Sequence, residues 1–199
     1  MKNINLLLLC LLLLNFSNAQ DYNFTLNKEG KVEFSGIIES TSSSDQMHEN
    51  LLVWLSTKNH NIVIDNKEEG KITTTGDIKS KSTYNPFAGV FEEFTIFILK
   101  LNSDNQNFNY VITDIKIKET YMGYGNNYRT TDIEEKIELL EEAKIKIKKA
   151  ESDETLKRKQ RKDIIEENND IIENTTETLN KAYQVLSEFI NDMQKQVNN

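Results

Sequence analysis

SSDQMHENLLVWLST, residues Ser43–Thr57, is the one clearly amphipathic helical stretch in the first two-thirds of the chain. Met47, Leu51, Trp54 and Leu55 recur at i, i+4, i+7 and i+8, which gathers them on one face of a helix. Ser43 and Gln46, three residues apart, have the form of a capping box, and Asp45 suits the positive end of the helix dipole. A lone helix with such a stripe needs a surface to lie on. The flanking strand-like stretches Val32–Glu39 and Ile62–Asp65 can supply it.

Downstream, the pattern stays strand-like as far as residue 118. Lys71–Ile78 is rich in β-branched residues, and Phe91–Leu101 is the most apolar run, with Phe94, Ile96 and Ile98 on one parity and Phe97, Leu99 and Leu101 on the other. A strand apolar on both faces is expected to be covered on both. Between them, Lys79–Val90 holds the only proline, Pro86, and reads as a hairpin connection or an excursion of about ten residues. In Phe108–Lys118 the apolar parity switches near Thr113 and Asp114, as one extra residue in a β-bulge would produce. Strand, helix and four further strands joined by short connections give an α+β fold, an antiparallel five-stranded sheet with helices on one side.

Residues 119–131 break the pattern with Tyr121, Tyr124 and Tyr128 among glycines and asparagines, a composition suited either to a recognition loop or to a packed connection. From Asp132 to the end there is neither glycine nor proline, and apolar residues recur at helical spacing. Ser152 followed by two acids allows a helix restart and so a helical hairpin. A single continuous helix forming a coiled coil is the alternative, because a 3.5-residue repeat begun at Ile133 stays in phase to Ile165. The hairpin is favoured, since that repeat places charged Glu151, Glu154, Arg158 and Arg161 in the seam.

At the other end, Lys2, the apolar run Leu6–Leu14 and the small residues Ser17 and Ala19 form an export signal, with cleavage expected between Ala19 and Gln20. Nine residues are too few to span a bilayer, which takes about 20, so no transmembrane anchor is expected in the mature chain. Cys10 lies within the apolar run and follows the bulky Leu9, which argues against lipidation. Residues 20–30 read as a lead-in, 31–150 as the α+β domain and 151–199 as a helical arm.

Losing Lys2 leaves 23 basic residues against 32 acids and moves the net charge from −8 to −9. Such a chain is ill suited to phosphate backbones, so nucleic acid is excluded as a partner. The only cysteine goes with the leader, which removes disulfides, thiolate metal sites and a cysteine nucleophile. His48 and His60 are expected on the surface, at spacings that match no metal motif. Glu92 and Glu93 read as solvated strand residues. No nucleophile-elbow, zincin or phosphate-loop motif occurs, so no catalytic, metal or cofactor residue is read from the sequence. Basic residues concentrate between Lys144 and Lys162, which a hairpin would gather at its tip.

Residues Gln46–Lys118 resemble an exported domain of unknown function of the Bacteroidetes, number 4468 in its series, whose fold is described as TATA-binding-protein-like. The residues carrying the likeness are Leu51–Leu55, Val63–Asp65, Gly70–Ile72, Gly76 and the paired strands Phe94–Leu101 and Tyr110–Ile117. The resemblance implies a β-α-β-β-β-β-α order, with Asp132–Ala150 as the following helix, and transfers no catalytic residue. It imports no DNA binding either.

The function that follows is a non-enzymatic exported protein of the cell envelope, located in the periplasm, outside the cell or at the outer membrane. Its contact surfaces would be Tyr121, Tyr124 and Tyr128 and the stripe Leu179, Tyr183, Leu186, Ile190 and Met193, which needs burial on its own domain, on the preceding helix or on another chain. The partner would be another envelope protein or a second copy. A small-ligand carrier, with a pocket between sheet and helices lined by Trp54 and Phe91–Leu101, is the alternative. A hydrolase comes third and would need acids converging on a histidine.

Overall fold

The computed structural model describes residues 24–58, 60–86, 89–104, 107–123 and 125–197. The leader and its Ala19–Gln20 junction lie outside them. Seven strands form one antiparallel sheet: β1 (Thr25–Leu26), β2 (Val32–Glu39), β3 (Asn61–Asn66), β4 (Lys71–Asn85), β5 (Gly89–Asp104), β6 (Asn107–Gly123) and β7 (Gly125–Asp132). Their order is β1-β2-β6-β5-β4-β3, and β7 pairs with β6 beyond the end of β2. Among the described residues three helices complete the fold: α1 (Ser44–Thr57) between β2 and β3, then α2 (Ile133–Ser152) and α3 (Arg158–Val197).

The order β-α-β-β-β-β-α is present, with two strands beyond the five expected. β1 falls in the stretch read as a lead-in. β7 and the end of β6 occupy the stretch read as patternless. Likewise the connection expected over 79–90 is strand on both sides, with β4 running to Asn85 and β5 starting at Gly89. These outer halves of the hairpins carry mostly polar, exposed side chains, so they lack the apolar alternation by which a strand is read.

α1 begins as expected. Ser43 is extended and its hydroxyl accepts the Gln46 backbone N–H at 3.3 Å. Gln46 bonds Asn50 in the next turn at 2.9 Å, so only half of the capping box forms. Met47, Leu51, Trp54 and Leu55 are all buried. The parity switch in β6 is a bulge: Asp114 sits at φ +52°, and the β5–β6 register shifts between Ile96 and Ile98. One extra residue lets Ile112 and Ile115, three apart, both point into the core.

The C-terminal segment is a hairpin. α2 ends at Ser152, and the turn is held by Asp153 Oδ1 accepting the Thr155 N–H (2.8 Å) and by Arg161 donating to the Asp153 carbonyl (2.7 Å). α3, about 60 Å long for its 40 residues, pairs along its first half with α2. Its second half lies on the sheet and α1. Leu179, Ala182, Leu186, Phe189, Ile190, Met193 and Val197 join Phe97, Leu99, Leu101, Ile112 and Ile117 in one buried cluster.

The helices cover one face of the sheet. Phe97, Leu99 and Leu101 of β5 lie beneath them, whereas Phe94, Ile96 and Ile98 on the opposite parity are half-buried. The expectation of cover on both faces is therefore corrected. On the open face, lysine stems lie over the apolar side chains, Lys79 with its ammonium 5.5 Å from the Phe94 ring. We expect Leu51→Ala to cost about 2–5 kcal/mol in urea unfolding, and Val53→Ala on the exposed side of the same helix less than about 0.5 kcal/mol. Equal effects would show that α1 does not anchor the core.

Candidate functional site

Strand alternation sorts the side chains at the hairpin end of the sheet into two sets. On the helix side, Lys81 pairs with Glu177 of α3 at 3.0 Å and Glu119 with Lys136 of α2 at 3.0 Å. Glu93, read from sequence as solvated, is 3% exposed there, accepting from Ser80 Oγ (3.1 Å) and Thr178 Oγ1 (3.4 Å). The opposite set faces away from every helix. Tyr84 is opposite Val90, which is opposite Met122. In the next rows Thr120 faces Tyr128 and Glu92, and Lys118 faces Phe94, which faces Lys79.

The β4–β5 and β6–β7 hairpins thus end side by side and bring two aromatic segments, distant in sequence, onto one open face. Tyr84 is 72% and Tyr128 77% exposed, and they sit three strands apart, about 14 Å across the sheet, and two residues out of line along it. The Lys118 ammonium lies 6.0 Å from the Tyr128 ring, so cations alternate with rings in the sequence Tyr128, Lys118, Phe94, Lys79. Exposed aromatics with lysines, Thr120 and half-buried Val90 between them offer stacking, apolar contact and charge on a preformed surface.

Of the tyrosines read as a recognition loop, Tyr128 belongs to this surface and Tyr121 does not. Tyr121 pairs with Phe91 on the helix side and is 37% exposed, and Tyr124 lies outside the described residues. The stretch is a β-hairpin, and alternation divides its tyrosines between faces. Of the companions of Tyr128, the sequence leaves the aromatic Tyr84 near or far alike, and Phe94, Met122, Lys79 and Lys118 were missed. Their alternation is visible in the sequence, but the strand pairing that assembles them is not.

The stripe Leu179, Tyr183, Leu186, Ile190 and Met193 is closed inside the chain. Leu179, Leu186, Ile190 and Met193 are buried, and Tyr183 packs between Phe24 (5.6 Å) and Phe34 (5.5 Å). Of the three coverings open to this stripe, its own domain, the preceding helix or another chain, the first is the one present. Trp54 is also core, its ring 4.9 Å from Phe189 and its indole N–H donating to Asp192 at 3.0 Å. Lys58 at 2.7 Å and that indole hold the Asp192 carboxyl below its usual range.

Both histidines were expected at the surface, but His48 is buried and His60 half-buried. His48 is 2% exposed, its Nε2 2.7 Å from Asp65 Oδ1, which ties α1 to the edge strand β3. His60 stacks on Phe189 at 5.2 Å and rests against Gly76, where a Cβ would meet its ring at 2.2 Å. It borders a groove of about 520 Å³ between β4 and α3, with Asp77, Lys58, Glu188 and Phe189. Among the described residues no three His, Cys, Asp or Glu side chains gather as a metal would need. No helix among the described residues is long and apolar enough to cross a membrane.

The architecture, a single antiparallel sheet with helices on one side and a long C-terminal helix, is that of the TBP-like proteins. A TBP-like protein from Parabacteroides distasonis superposes over 86% of this chain and 95% of its own, at 14% identity and a TM-score of 0.53. A DUF4468 family protein from Bacteroides ovatus superposes over 92% of both chains, at 15% identity and a TM-score of 0.56. The chain shares their fold, as its sequence resemblance implied. No family model matches the sequence, and no curated protein does.

Burial holds the His60 imidazole below its usual value, against a smaller upward pull from Asp77. The unfolded chain protonates this residue near its ordinary value of about 6.5, while the folded one resists, so its contribution to stability is complete above that pH and drains away as pH falls through it. Thermal unfolding of His60→Leu should therefore show a shallower loss of stability between about pH 7 and pH 5 than the unaltered protein. Identical slopes would mean that the imidazole protonates in place.

Proposed function

We propose that the chain is a non-enzymatic interaction module of an exported, Bacteroidetes-type envelope protein, which grips its partner with the hairpin end of the open sheet face. One observation carries this reading: Tyr84, Phe94, Met122 and Tyr128 share an uncovered face with Lys79 and Lys118, and Tyr84 and Tyr128 are largely solvent-exposed. Large rings with few rotatable bonds, set on strands, lose little freedom on binding and bury much area. The scaffold beneath is the rigid layer of β5, β6 and the helices, so the surface is organised before a partner arrives. An exported location follows from the leader, and the fold's occurrence in two Bacteroidetes proteins supports the source.

The test is capture of envelope components by the processed protein and by a Tyr84→Ala, Tyr128→Ala, Lys118→Ala variant. We expect the variant to lose the components retained by the unaltered protein while keeping its melting temperature, because all three side chains stand outside the core. Undiminished capture by a folded variant would end this reading.

The groove beside His60 favours a second reading, a small-ligand binder, since its volume of about 520 Å³ lies in the range of ligand sites. That groove does not include Trp54, the residue that the carrier reading placed at its centre, but Phe189 joins the two. A ligand entering there would change the fluorescence of the only tryptophan and would be indifferent to the open-face substitutions.

A further inference from the structure

Charge is distributed very unevenly along this protein. Residues 144–162 hold nine cations and three acids, a surplus of six, in a chain whose net charge is −8. The remaining 180 residues therefore carry 15 cations against 29 acids. Folding α2 back against α3 gathers the surplus at one end of the molecule, at the turn Asp153–Lys157.

Part of that charge is neutralised locally: Lys144 pairs with Glu141 (2.7 Å), Lys146 with Glu142 (3.7 Å) and Lys162 with Glu166 (3.2 Å). Lys148, Lys149, Lys157, Arg158 and Lys159 are exposed and form no ion pair among the described residues. The first turn of α3 makes the imbalance sharper. It contains no acid, and Arg158, Lys159 and Arg161 crowd the positive end of the helix dipole, where anions are stabilised and cations are not.

Within this cationic end lies a groove of about 510 Å³ between the two helices, lined by the apolar Ala150, Leu156, Ile164 and Ile171, with Lys146 and Lys149 and the acids Asp153 and Glu167 at its rim. Asn168 also lines it. This side chain is 5% exposed, and its Nδ2 donates to the Ile164 carbonyl at 2.7 Å, while its Oδ1 is buried without a partner. Arg161 Nε is likewise buried and unpaired. The groove thus combines an apolar lining and an orphaned acceptor with two lysines and two acids at its rim, and the exposed turn beside it adds the unpaired Lys157, Arg158 and Lys159.

We propose that the hairpin tip docks this protein on an anionic phospholipid surface. The exposed lysines and Arg158 meet headgroup phosphates, Leu156 and the groove receive apolar chain, and Asn168 Oδ1 accepts from a headgroup hydroxyl or ammonium. Soluble polyanions match the cations but have no use for an apolar groove beside them. The acidic remainder of the molecule is repelled by the same surface, so the protein attaches end-on by its tip, leaving the open sheet face clear. This surface is separate from that of the preceding section, and either proposal can fail alone.

The experiment is sedimentation of the protein, freed of its first 19 residues, with phosphatidylcholine vesicles with and without phosphatidylglycerol. We expect binding only to the anionic vesicles, weakening as salt is added. The variant Lys149→Glu, Lys157→Glu, Lys159→Glu should bind at least about tenfold more weakly, whereas Lys28→Glu, Lys31→Glu, Lys195→Glu, with the same charge change elsewhere, should lose less. Should the first variant fold poorly, Lys157→Gln with Lys159→Gln at the exposed turn serves in its place, with a smaller loss expected. Equal binding to neutral vesicles, equal loss in both glutamate variants, or unchanged binding in either tip variant would overturn the proposal. So would release by inorganic phosphate at matched ionic strength, which points to a small anion, or equal affinity for a soluble sulfated polysaccharide.

Discussion

The second half of α3 lies in the angle between the sheet and α1, and the dry layer sealed there governs the rest of the molecule. Phe189 is its centre, touching Trp54 at 4.9 Å, Phe97 at 5.1 Å and His60 at 5.2 Å. Residues at seven-residue spacing feed it from one helix: Leu179, Leu186 and Met193, and between them Ala182 and Phe189. The sheet has two faces, and the described helices all lie on one of them. Once α1 and α3 occupy one side, the other is left to its own side chains.

Two consequences follow. Apolar residues on the open face cannot be as dry as their opposites, so lysines from neighbouring strands lie along them and rings project at the hairpin end. The seam of α3 also changes character where the helix leaves the sheet. Asn168 and Thr175 hold the heptad positions that Ala182 and Phe189 hold further on, in the half of the helix that packs along α2. A polar seam suits a two-helix arm with little core of its own, and it leaves the groove near the turn incompletely filled.

Much of the architecture could be read because burial leaves a periodic trace. Met47, Leu51, Trp54 and Leu55 marked α1, and the parity switch at Thr113 and Asp114 marked a bulge that the backbone confirms. The outer halves of β4 and β6 and all of β7 left no such trace, because their side chains are polar or exposed and their pairing rests on backbone hydrogen bonds that any sequence can make. The histidines failed for a different reason. His48 stands beside Met47 on a face that is polar by composition, and only the approach of Asp65 from β3 makes it an interior residue.

The order of residues along the chain sets the periodicities: which residues one helix or strand must hide, where charge accumulates, and where no glycine or proline interrupts a helix. Those are properties of neighbours along a chain, encoded at spacings of two, three or four residues. The tertiary structure alone decided which elements meet. It set Tyr84 beside the β6–β7 hairpin, closed the α3 stripe against the sheet instead of a second chain, and turned the cationic run into a tip. Such outcomes depend on strand order and on which face the helices cover, and contacts between residues far apart in sequence leave no repeat within any single segment.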